Sequence, residues 1–408
     1  MTPQLVITGR VLDPEGDPVF NVLVNVMVGR VVEGRRVFVR SNQAQTNDLG
    51  EYRVPMLAPG RYVVCVTAAL AIPASFSGVM GAASNGIGDG CYPGPPESRG
   101  GMDLPAGREA RVDFTLPRVS MVKVRGTVSG MPKGRSVSVS LLKQNGSAGT
   151  GPARQSGVRP DGTFEIPGVA SGTYLANVDY FEGNLRLTAR TQFQVAATDV
   201  DGVNLRLVPA MTLLGKVTFD SDSRSPAPTV PNFGLSLREM DNGNGGGRTE
   251  WGQQGAFTIQ GVPSGTYRLQ AFPPQNLFVK SATLGGRDVL SQDVVVDGPA
   301  GLLEVVLSDT GGSLDVQVED SEGKSTDGWV LVLKDDRQIA VSRTGGNGRA
   351  TLKNLPPGRY FVGAWDDNQQ VEYGNPDWMR QYGSGQSVTV DAGQATTAQV
   401  RLNRVPVP

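Results

Sequence analysis

One spacing recurs four times in this chain: a glycine, a second glycine ten residues later, and a tyrosine two residues after that. The copies are Gly50, Gly60, Tyr62; Gly162, Gly172, Tyr174; Gly255, Gly265, Tyr267; and Gly348, Gly358, Tyr360. After the first glycine the side chains alternate. Tyr52 and Val54 are separated by Arg53, and Phe164/Ile166 and Phe257/Ile259 repeat the pattern. A period of two marks a half-buried strand. An apolar residue follows (Leu57, Val169, Val262, Leu355), then a Pro/Ser/Gly turn. There the second glycine is expected to supply backbone freedom. The tyrosine opens a second strand and points inward. Each copy therefore reads as strand, tight connection, strand.

Further strand patterns bracket each copy. Opening strands are expected over Val6–Val11, Val122–Val128, Leu213–Phe219 and Leu314–Val318. Closing strands are expected over Val112–Leu116, Val203–Leu207, Leu303–Leu307 and Ala398–Leu402. Short strands at regular intervals with turn signals between them predict β-sandwiches. No segment shows a convincing helical period. The predicted fold is all-β, with four tandem seven-stranded sandwiches at 1–118, 119–209, 210–309 and 310–408. The first carries a flap insertion, 68–107, and the fourth an aromatic loop insertion. Joints of a few residues at Pro117-Arg118, Pro209-Ala210 and Ser308–Thr310 predict a semi-rigid rod.

Composition narrows the chemistry. The 408 residues include no histidine and only two cysteines. Histidine-based triads, histidine zinc sites and Cys₄ clusters are therefore excluded. A carboxylate-pair hydrolase remains open, because it needs neither residue. The formal charge is −1 with dispersed cations, so no basic stripe for nucleic acid is present. No apolar run reaches the roughly 20 residues a membrane span needs. No signal-peptide pattern precedes the first strand.

The run Gly9-Arg10-Val11-Leu12-Asp13-Pro14-Glu15-Gly16-Asp17-Pro18, with Thr46–Tyr52 and Leu57–Tyr62, resembles the carboxypeptidase regulatory-like domain. The fourth copy echoes it in Val318–Gly323 and Leu355–Tyr360, and the middle two lack the Asp-Pro-Glu-Gly turn. The resemblance implies a transthyretin-like sandwich in secreted or cell-surface bacterial proteins. The implied role is structural, adhesive or accessory, without catalysis or cofactor. The implied partner is a protein or polysaccharide surface, or further copies of the chain. A related adhesin class carries Lys–Asn isopeptide bonds. Lys216 is the matching lysine here, but the glutamate usual after that class's tyrosine is missing from all four copies.

Three groups of residues are candidate sites. Cys65 and Cys91 are expected to form a disulfide clipping the flap to the sandwich, with two free thiols as the alternative. A loop of this length would stabilise by about 3 kcal/mol in the entropy model. The bond would imply an oxidising compartment. Tyr92, Trp365, Tyr373, Trp378 and Tyr382 are candidates for a ligand or partner surface, since loop aromatics stack on sugars or anchor proteins. The alternative is that they cap an open sandwich end. Acidic clusters at Asp13/Glu15/Asp17, Asp335-Asp336 and Asp366-Asp367 match no EF-hand loop and read as solvated turns. Gly243–Gly247 reads as a hairpin tip rather than a phosphate loop.

Overall fold

The computed structural model describes residues 5–67, 85–96, 100–144, 154–183, 185–220, 233–240, 245–274, 277–334 and 337–406. Parts of the flap (68–84 and 97–99), Gly243, Asn244, Asp335 and Asp336 lie outside the described residues. The chain is all-β, with short paired sheets throughout. It separates into two compact units, Met1–Arg30 with Val37–Pro209, and Val31–Arg36 with Ala210–Val407. Each unit contains two large hydrophobic cores, and each core draws on one stretch of sequence.

In unit 1 the opening strand Leu5–Leu12 pairs antiparallel with Glu51–Leu57, the first strand of the repeat. The second repeat strand, Gly60–Thr67, pairs instead with Leu23–Val32. The tight connection thus carries the chain from one sheet to the other. The second core repeats this: Thr163–Ala170 joins Arg118–Ser129, and Gly172–Glu182 joins Ser138–Lys143. In unit 2, Ala256–Val262 joins Met211–Asp220 and Gly265–Phe272 joins Gly234–Glu239. Likewise Arg349–Leu355 joins Gly312–Glu319 and Gly358–Trp365 joins Trp329–Lys334. In every case the closing segment lies parallel to the opening strand.

The tyrosine fixes each sheet crossing. Tyr62, Tyr174, Tyr267 and Tyr360 are all buried. Each donates its hydroxyl to the carbonyl four residues earlier: Ala58 (2.5 Å), Ala170 (3.0 Å), Pro263 (2.8 Å) and Pro356. The phenol thus buries its ring while its one polar group stays satisfied.

The glycines act differently from expectation. The first glycine is the conformational one: φ is 73°, 86°, 76° and 70° at Gly50, Gly162, Gly255 and Gly348. Its carbonyl accepts from the opening-strand valine in all four copies (Val11, Val128, Val217, Val318). The second glycine takes positive φ only at Gly172 and Gly358. A left-handed residue also recurs six positions after the first glycine, at Met56, Gly168, Gly261 and Asn354. It accompanies a register shift in the opening strand of every copy, so the corner strand carries a bulge there.

A second regularity lies across the pair formed by the opening strand and the first repeat strand. Gly9, Gly126 and Gly215 sit opposite Tyr52, Phe164 and Phe257. A β-carbon on Gly215 would lie 2.1 Å from the Phe257 ring. The fourth core inverts the sizes and places Val316 opposite Ala350.

One helix departs from the sequence reading. Pro376–Tyr382 is a two-turn α-helix. Asn375 caps it, accepting from Trp378 N–H, and Pro376 and Asp377 suit its first turn.

Candidate functional site

The aromatic insertion of the fourth repeat was the strongest surface candidate, and the helix explains its aromatic content. Along Gly358–Trp365, Tyr360, Val362 and Ala364 face the main core. Phe361 and Trp365 face the other way, alongside Trp329, Leu331 and Leu333 of the neighbouring strand. Gly363 lies between them, and its bare backbone makes room for the Trp365 indole, which a β-carbon would approach to 2.5 Å. This outer face is apolar and has to be covered. The helix covers it with Trp378, Met379 and Tyr382.

Trp365 and Trp378 are therefore buried, at 0% and 7% exposure, and are corrected from surface residues to core residues. Trp365 Nε1–H donates to the Tyr382 carbonyl at 2.9 Å. Trp378 and Tyr382 pack tilted, with ring centroids 5.3 Å apart. Trp378 Nε1 has no hydrogen-bond partner among the described residues. Tyr373 and Tyr382 are partly buried against the same cluster. Burial pushes the Tyr373 phenol up to about 12. Tyr92, in a different repeat, is half exposed.

What stays open beside the helix is a groove of about 820 Å³. Phe361, Tyr373 and Met379 are among its apolar lining, and Lys334, Arg359 and Arg380 among its charged lining. Arg380 is paired with Asp377. Among the lining residues Ser387 is the sole aliphatic hydroxyl, and the lining includes no aspartate, glutamate or histidine. Such a surface can hold a partner.

The disulfide is present. Cys65 and Cys91 are bonded and stand opposite each other in adjacent strands, Gly60–Thr67 and Gly90–Tyr92. Strand alternation puts Cys65 with Val63, Met27 and Phe38 in a small cluster on the face away from Tyr62 and Val64. Lys216 is exposed on the outward side of its strand, unlike a lysine buried for cross-linking.

The acidic residues at 13–17 and 366–367 hold backbone N–H groups. Asp13 Oδ1 accepts from the backbone N–H groups of Glu15 and Asp17, and Asp320 does the same for Glu322 and Lys324. Asp366 accepts from Val405 and Asp367 from Gln369. Among the described residues no group of three or more His, Cys, Asp or Glu side chains is arranged to hold a metal. A carboxylate concentration that the sequence reading missed surrounds Arg125, which pairs with Glu165, Asp199 and Asp201. The Arg125 hydrogen bond lowers the Glu165 pKa. The Lys123 backbone N–H, with Arg125 behind it, lowers that of Asp199. Carboxylates held ionised this way on an open surface are unsuited to general-acid work.

No family model and no curated protein matches the chain. Solved structures similar to it include Gram-positive pilins. A streptococcal ancillary pilin is 14% identical with a TM-score of 0.20, over 71% of this chain and 100% of that one. The full-length RrgB pilus protein of Streptococcus pneumoniae is 8% identical with a TM-score of 0.19, over 100% and 99%. BcpA, the major pilin subunit of Bacillus cereus, is 9% identical with a TM-score of 0.18, over 98% and 99%. Likeness at this level carries nothing about activity or assembly.

Proposed function

We propose that the chain is a non-catalytic structural protein of the extracellular or cell-surface compartment, built from four carboxypeptidase regulatory-like, transthyretin-like sandwiches at 1–118, 119–209, 210–309 and 310–408. Its role is to present β-sandwich surfaces to a protein or polysaccharide partner or to other copies of itself. One observation carries the reading: the same tyrosine-tied sheet crossing recurs in four separate cores. Repetition of a scaffold without a repeated reactive group suits reach and surface rather than chemistry. The absence of histidine from the whole sequence and the Cys65–Cys91 bond support it.

Electron microscopy and multi-angle light scattering of the native protein across concentration test the self-assembling version. Filaments or concentration-dependent growth support it, and a monodisperse monomer throughout removes it. Thiol labelling of protein isolated without reductant tests the compartment. Two labelled cysteines would overturn the extracellular reading.

A further inference from the structure

We infer that the insertion segment 85–92 is a splint across the joint between the first and second cores, and that the Cys65–Cys91 bond is its latch. Within these eight residues the chain changes partners. Asn85–Ile87 pairs antiparallel with Ser120, Val119 and Arg118, the first residues of the second core's opening strand. Gly88 N–H donates to the Pro117 carbonyl at 2.7 Å, on the joint itself. Asp89 Oδ2 lies 3.4 Å from Lys143 Nζ, on a strand of the second core. Gly90–Tyr92 then pairs with Val66, Cys65 and Val64 of the first core. The fit to the second core is close. A β-carbon on Gly86 would come within 2.5 Å of the Met121 side chain, and one on Gly88 within 2.8 Å of Val119.

Strand pairs of three residues are marginal alone. They persist when a tether holds them at high effective concentration, and the cross-link four residues past Ile87 is that tether. Arg118 also reaches back to Glu15 and Asp13, so the joint keeps a second hold that does not depend on sulfur. A dithiol such as dithiothreitol opens the latch. Its thiolate attacks one sulfur, its second thiol closes on the mixed disulfide, and two electrons and two protons pass to Cys65 and Cys91 while the reagent becomes a cyclic disulfide. Cys65 is 1% exposed and Cys91 is partly exposed, so the attack falls on Cys91. The inference stands independently of the proposed function.

Hydrogen exchange of the full chain, followed by mass spectrometry, tests it. Oxidised protein, reduced protein and the Cys65→Ala/Cys91→Ala variant are compared. The expected result is exchange at least about tenfold faster over both 85–92 and 117–121 once the bond is gone, with 163–170 unchanged. A second variant, Gly86→Leu, leaves the bond intact and is expected to free 85–88 and 117–121 together while 90–92, paired to the first core, stays protected. Unchanged exchange over 117–121 in all forms overturns the splint. Equal acceleration through the first core's 5–12 overturns the latch, because the bond would then hold that core and not the joint.

Discussion

The inverted pair in the fourth core makes the size rule testable. Gly215 faces Phe257, and the three atoms nearest a β-carbon built on Gly215 all belong to that ring, at 2.1–2.5 Å. Normal contact begins near 3.4 Å, so Gly215→Val forces the ring aside in a packed core. Overpacking of this kind costs about 3 kcal/mol. Phe257→Ala alone empties the space beside Trp251, whose ring centroid lies 5.4 Å from that of Phe257, and costs about 4 kcal/mol. In the double variant the valine occupies the vacated volume, as Val316 does opposite Ala350. The expected loss is then about 4 kcal/mol instead of about 7, a coupling of about 3 kcal/mol. The chain has several cores, so a single unfolding curve is not interpretable. Exchange of peptides from 211–307 under sub-denaturing urea reports this core by itself. Additivity to within about 0.5 kcal/mol would refute the reasoning, because the two residues would then not share one space.

Three further outcomes follow from the same geometry. Trp378→Ala uncovers Trp365 and Leu333, and is expected to destabilise the fourth core by about 3 kcal/mol, read by exchange over 358–365. Met56→Gly relieves an exposed methionine at φ 62° and is expected to stabilise the first core by about 1 kcal/mol, whereas Gly261→Met costs at least as much; both are read by exchange in their own cores. Burial raises the pKa of Tyr62, and raises those of Tyr174 and Tyr360 to about 12. Below pH 10 these phenols are neutral whether folded or unfolded. Between pH 10 and 12 the unfolded chain gives up protons that the folded chain keeps, so stability falls as pH rises through that window. Alkaline unfolding monitored by tyrosinate absorbance near 295 nm (the band on the order of 300 nm that marks an ionised phenol) is expected to include a cooperative step from the buried phenols, and the absence of any such step would refute the burial argument.

The fold was legible because its constraint is local. The distance from Gly50 to Tyr62 lies within one strand–turn–strand unit, and alternation alone orients Tyr52, Val54 and Tyr62 inward. Alternation also placed Cys65 on the opposite face of its strand from Tyr62. Local patterns could not choose between the two readings of the aromatic insertion, a partner surface or a structural cover. Phe361 and Trp365 alternate outward from the main core, which predicts exposure unless another element covers them. The covering helix is only seven residues long, too short for a helical period to show. Its signal was in its cap: Asn375-Pro376-Asp377 is a helix start. The second glycine takes positive φ in two copies and merely lies beside a tyrosine ring in the other two, a difference that spacing cannot show.

Gly9, Gly126 and Gly215 passed unnoticed because their reason lies across a strand pair, 43, 38 and 42 residues away in sequence at Tyr52, Phe164 and Phe257. A trace was present in the recurring Gly-x-Val of each opening strand, replaced in the fourth copy by Val316-Gln317-Val318. That replacement shows what the repeat conserves. With Gly215 facing Phe257, or with Val316 facing Ala350, the two facing side chains together fill the core. The individual residues can differ as long as the facing pair fills the space. A sandwich that tolerates such inversion inside, while retaining the tyrosine at its corner, holds its sheet crossing fixed and leaves its outer faces free to vary. That combination suits the proposed role of presenting surfaces.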